Sequence, residues 1–231
     1  MSTVAMTTWQ FPPPIYGGGA GGQWTSQYWL IMAVMWWVMM IAMMVPSATP
    51  VILLYARVFR HNQRGEDAGA ALAPTSVFLL GYLLAWLFFS VGATGLQWAL
   101  EKLGLVHGMM MWSNSRLLSA LFLLAAGAYQ LSPLKYVCLN HCRSPVAWLT
   151  AHWRAGRGGA LRMGLSHGLY CVGCCWFLML LLFVGGIMNL VWIAGLAIFV
   201  LLEKQLPRGI WVARVSGGLM MLAAVWLLLA R

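Results

Sequence analysis

Apolar residues run along this chain in long blocks, and charged positions fall almost entirely between them. A helix crossing a ~30 Å hydrocarbon layer needs about 20 mainly apolar residues, each advancing ~1.5 Å. The first block fits from Gln27 to Val45 and stops near Pro46 and Pro50, which oppose further regular helix. The second lies within Thr75 to Leu100, and the third, the shortest, within Leu117 to Leu131. From Met163 to Leu202 there is no Asp, Glu, Lys or Arg. As one helix that run would reach about 60 Å, so it must fold back, and "GGIMN" at Gly185 to Asn189 is the obvious turn. The last block covers Trp211 to Leu229, with Arg214 near enough to its start to snorkel. The expectation is an all-α membrane protein, a single polytopic domain over residues 1–231 formed by a bundle of about six transmembrane helices. Residues 1–26, which include "FPPPIYGGGAGG", read as a flexible tail. The tail lacks the basic n-region of a cleavable signal, so the first block is expected to direct insertion itself.

Composition agrees with this pattern. Of 231 residues, 62% are hydrophobic and 8% charged, against roughly 25% charged in a soluble domain. The net charge of +10 does not signal nucleic acid, because the basic residues are spread between apolar blocks, where they set orientation. With the amino terminus outside, inner loops collect Arg57, Arg60 and Arg64; Lys135, Arg143, Arg154, Arg157 and Arg162; and Lys204, Arg208 and Arg214. Only Lys102, Arg116 and Arg231 remain outside. Both termini are therefore expected outside, with residues 133–163 as the longest cytoplasmic loop. Its "AWLTAHWRAGR" segment suits the membrane interface through Trp148, Trp153 and Arg154.

Candidate chemistry sits in the soft residues. All five cysteines fall in "CLNHC" (Cys138, His141, Cys142) and "CVGCC" (Cys171, Cys174, Cys175), both at i, i+3, i+4 spacing. Such positions share a helix face, and His167 joins the second group four residues upstream. In this topology both clusters occupy the cytoplasmic half. Span one carries a methionine stripe, Met32, Met35, Met39 and Met43, with Met40 and Met44 alongside. Helically spaced cysteines and methionines also serve as core filler. Thiolate and thioether select Cu(I), though Cys and His suit Zn as well. The four acidic residues, Glu66, Asp67, Glu101 and Glu203, place no carboxylate centrally in a span, which disfavours a hard cation. The metal candidates are Cys171, Cys174, Cys175, His167, Cys138, His141, Cys142, Met39 and Met43, with Cu(I) descending the Met35–Met39–Met43 face to the thiols. "HGMMM" (His107 to Met111) offers a further capture point on the outer side. Glu203 and Lys204 read first as an ordinary solvated helix end, and second as a carboxylate supporting the thiols.

Four stretches, "MMIAMMVPSATP", "YQLSPLKYVCLNHCRSP", "HGLYCVGCCWFLM" and the "EK" closing span five, resemble a bacterial family of integral membrane proteins described as predicted metal-binding, of unknown function. The resemblance spans Met39 to Lys204. It implies a metal and a multi-pass location in the bacterial inner (plasma) membrane, but names neither ion nor reaction. No phosphate-cradling glycine loop precedes a Lys-Ser/Thr pair, and no Ser/His/Asp set is defensible, so no catalytic residue is assigned. The expected function is Cu(I) transport or delivery, with the lipid bilayer and a copper donor or acceptor protein as partners. The alternatives are a thiol-disulfide oxidoreductase using paired cysteines and a structural subunit of a membrane complex.

Overall fold

A computed structural model describes residues 24–62, 72–106, 111–154 and 156–229. Among them the secondary structure is helical: α1 (Ser26–Asn62), α2 (Leu72–Lys102), α3 (Arg116–Gln130), α4 (Pro133–Arg143), α5 (Pro145–Ala151), α6 (Gly156–Leu180), the single turn α7 (Leu182–Gly185), α8 (Leu190–Gln205) and α9 (Gly209–Leu229). Four helical segments are long and apolar enough to cross a membrane: Ser26–His61, Pro74–Lys102, Gly156–Gly185 and Gly209–Leu229. A fifth qualifies if α3 and α4, bent by 65°, are taken as one broken span. Two of the six expected spans fall short as single helices: α3 has 15 residues and α8 has 16.

One expectation fails outright: α1 does not end at its prolines but continues through Pro46 and Pro50 to Asn62. Each proline removes a backbone donor, which leaves the carbonyls of Ala42 and Pro46 without their usual amide, a cost that membrane helices bear where neighbouring groups hold the surrounding turns. Here Ser47 Oγ donates to the Met44 carbonyl (2.8 Å), Thr49 Oγ1 to that of Val45 (3.0 Å), and Tyr82 Oη to that of Met44 (3.2 Å), ties beside the orphaned carbonyls. The chain between α3 and α4 breaks because Ser132 accepts from the Lys135 amide as an N-cap and Pro133 opens α4. The fold-back after α6 falls where expected. Gly186 takes φ 92°, a conformation open to glycine, and Asn189 caps α8 by accepting from the Val191 and Trp192 amides.

Glycines set the closest helix contacts. A Cβ at Gly164 would run into the Phe78 carbonyl, one at Gly81 into that of Leu161, and one at Gly168 would lie 2.6 Å from Ala85 Cβ. Backbones of α2 and α6 therefore touch almost directly, as small-residue pairs allow in membrane bundles. Gly127 and Gly217 bring α3 and α9 together in the same way. The expected interfacial segment is partly inside: Trp148 is buried, and Trp153 lies 5.6 Å from the Tyr55 ring. The outward faces of α1 and α9 stay apolar, with Leu30, Val34 and Val38 on one and Leu219, Leu222 and Leu229 on the other exposed.

Candidate metal centre

Three helices bring soft donors together, and a fourth closes them in. The α6 cysteines lie on the face turned to the core, each only 1% exposed. Because α4 packs across α6, Cys142 Sγ lies 3.9 Å from Cys174 Sγ. Cys138 fits over Gly173, where an added Cβ would come within 3.0 Å of its sulfur. From α1 comes Met44, fully buried, with its sulfur 3.9 Å from Cys175 Sγ. All five cysteines are free thiols. The Cys174 and Cys175 thiols donate to the Cys171 carbonyl at 3.1 and 3.0 Å.

The fourth wall is α8. Lys204 Nζ lies 2.9 Å from Cys171 Sγ and 3.2 Å from Ser47 Oγ, and Tyr82 Oη is 3.1 Å from the same sulfur. An ammonium at that distance complements an anionic sulfur, the form of cysteine that binds soft metals. The adjacent Glu203 pairs with Lys135 at 2.7 Å, both side chains 1% exposed, and Lys135 also donates to Gln130 Oε1. The reading of Glu203 and Lys204 as a solvated helix end is therefore overturned. The turn after α6 sends α8 back along the bundle, and the carboxylate and ammonium are buried because α4 and α6 supply partners for both.

The two expected histidines follow the aromatic residues. His167 is buried, its ring packed among Phe78, Tyr82 and Trp148, and among the described residues its Nδ1 has no hydrogen-bond partner. His141 stacks flat on Tyr170 at 4.3 Å and places Nδ1 3.0 Å from the Val137 carbonyl. Of the methionine stripe, Met43 is buried and Met39 partly so, while the sulfur that meets a thiol belongs to Met44. His107 to Met110 lie outside the described residues; Met111, the end of that motif, is buried.

Among the described residues no three Cys, His, Asp or Glu side chains form a closed cage for an ion. The arrangement is a cluster of sulfurs from three helices, in which the Met44 thioether lies beside Cys175 and the Cys142 thiol beside Cys174. Tyr82, Ser47 and Lys204 are the members that spacing did not single out, and Met44 stood only alongside the expected stripe. Of the first three, only Lys204 carried a signal, since two charges closing an uncharged run of that length are unusual.

Searches of curated proteins and of solved structures gave no match. The family model described as "PpoB2: Copper chaperone" matches residues 33–227, a stretch that contains all five cysteines, Met44 and Lys204. That description agrees with the softness of the donors gathered here and with the metal implied by the motifs. The chain belongs to the PpoB2 copper chaperone family.

Proposed function

We propose that this protein is embedded in the bacterial inner membrane and binds Cu(I) at the thiols of α6, to move it across the bilayer or pass it to a partner protein. The observation that carries the reading is the meeting of Cys142, Cys174, Cys175 and Met44 from α4, α6 and α1 beside Lys204. Sulfur donors without carboxylates suit a soft monovalent ion. A 3.9 Å gap is one that two sulfurs, each ~2.3 Å from a shared ion, can bridge. Cys174 and Cys175 would release the Cys171 carbonyl to do so, a change of side-chain rotamer. His167, Cys138, His141, Met39 and Met43 are assigned supporting positions in this reading. The six-segment arrangement with both termini outside belongs to the same proposal, its basis the basic residues gathered on one side and the apolar outer faces.

The test is a triple Cys171→Ser, Cys174→Ser, Cys175→Ser variant, titrated with Cu(I) against a competing chelator. Serine hydroxyls can bond to helix carbonyls, so the variant should still fold, while tight Cu(I) binding should be lost. Unchanged affinity would move the centre elsewhere, and loss of folded protein would make the thiols packing residues. The 3.9 Å Cys142–Cys174 approach also keeps a disulfide chemistry in view. Thiol counting on the purified protein decides between them: five reduced thiols with bound copper support metal handling, and paired disulfides without metal support the oxidoreductase.

A further inference from the structure

A second group of soft donors lies at the other end of α1. Gln97 of α2 is fully buried, and its Nε2 faces three acceptors: Glu101 Oε1 at 2.9 Å, Met111 Sδ at 3.3 Å and Met32 Sδ at 3.8 Å. An amide nitrogen has two hydrogens, so three acceptors converge on fewer donors than they can use. Both thioethers are buried. Glu101 accepts from Trp24 Nε1 at 2.9 Å, and among the described residues no cation lies within ion-pairing distance of it. The cluster thus holds an excess of acceptors, two of them thioether sulfurs, around a carboxylate with no counterion among the described residues.

We infer that Met32, Met111 and Glu101 form a second Cu(I) site, distinct from the thiol centre. Two thioethers select a soft ion, one carboxylate neutralises a monovalent one, and rotation of the Gln97 amide frees the space between them. Thioethers hold Cu(I) without the charge of thiolates, so this site is the weaker of the two and suited to loading or release. A path joins them on one face of α1, where Met32, Trp36, Met40 and Met44 are all buried. From Met32 to Met44 is about 18 Å of helix. Trp36 interrupts the sulfurs, and its indole donates to Gln97 Oε1 at 2.9 Å. Movement of that amide therefore also frees the indole.

The inference rests on the copper reading, and the test separates the two. The full-length protein in detergent is titrated anaerobically with Cu(I) against chelators of graded strength. The expected result is a tight and a weak class of site. A Met32→Leu, Met111→Leu variant should lose the weak class and keep the tight one, and Glu101→Gln should lower the weak affinity at least tenfold. The triple serine variant should do the reverse, keeping the weak class alone. Retention of both classes in the double leucine variant overturns the second site whatever the thiols do. Leucine conserves volume and apolarity, and should that variant fold poorly, Glu101→Gln decides alone: an unchanged weak class rejects the site.

Discussion

Lys204 determines more than the packing of Cys171. Its ammonium sits 2.9 Å from the sulfur and 7% exposed, a fixed positive charge beside the place proposed for a metal ion. Repulsion between unit charges ~5 Å apart at an effective dielectric of ~20 is about 3 kcal/mol, and a divalent ion feels it twice. Lysine therefore favours Cu(I) over Zn(II). Lys204→Met should raise Zn(II) affinity relative to Cu(I) by about ten- to a hundredfold, allowing for screening, which competitive metal titration of the purified variant measures. An unchanged ratio would make the ammonium only a structural partner of Ser47 and Cys171. At this scale the sequence showed the sulfurs well, because i, i+3, i+4 spacing survives in any helix. It could not choose between the Met39–Met43 and Met40–Met44 stripes. Span one is apolar on nearly every face, so its periodicity carries no direction.

At the scale of elements, glycine decides which helices touch. Gly164 and Gly168 lie four residues apart, a small-xxx-small pair on one face of α6, and their partner is α2 through Gly81. Gly164→Val should force α2 and α6 apart, since its Cβ would meet the Phe78 carbonyl and no rotamer relieves a clash with backbone. The expected result is a large loss of thermal stability together with weaker Cu(I) binding. Gly158→Ala is the matched control, because nothing lies within 4 Å of its Cβ position and alanine is the better helix former by about 1 kcal/mol. It should leave the melting temperature equal or slightly higher. The end of α1 was misread for a physical reason: proline signals a helix stop only where nothing packed against the helix holds the turns around it. Tyr82, distant in sequence, reaches the neighbouring Met44 carbonyl from α2. Linear reading does not reveal it.

For the whole molecule, the blocks of apolar residues made legible a helical fold whose described residues include several helices long and apolar enough to cross a membrane, and the uncharged Met163–Leu202 run made its reversal legible too. The number of crossings was less so, because α3 and α8 are shorter than the bilayer they were expected to span. Length in sequence does not say whether a bent pair such as α3 and α4 crosses or turns back. Orientation rests on the basic residues. Reporter fusions or impermeant labelling of single cysteines placed near Arg60 and near Arg154 should mark both positions as cytoplasmic. Either one labelled from outside would invert the arrangement and place the thiol centre in the opposite half.

The glycine contacts also have a mechanical consequence. Where α2 meets α6, backbone rests on backbone, so there are few side chains whose rotation could take up movement. On the other side of the thiols, α1 presents long, unbranched methionines with several rotatable bonds each. One flank of the cluster is stiff and the other compliant. On the proposed copper route, an ion passing through displaces the compliant flank, so motion belongs to α1 and α6 keeps its sulfurs in register with α2. Amide hydrogens of Phe78 to Ala85 and Gly164 to Cys175 should then exchange among the slowest in the protein, whereas those of α1 around its prolines should exchange faster when copper is in transit.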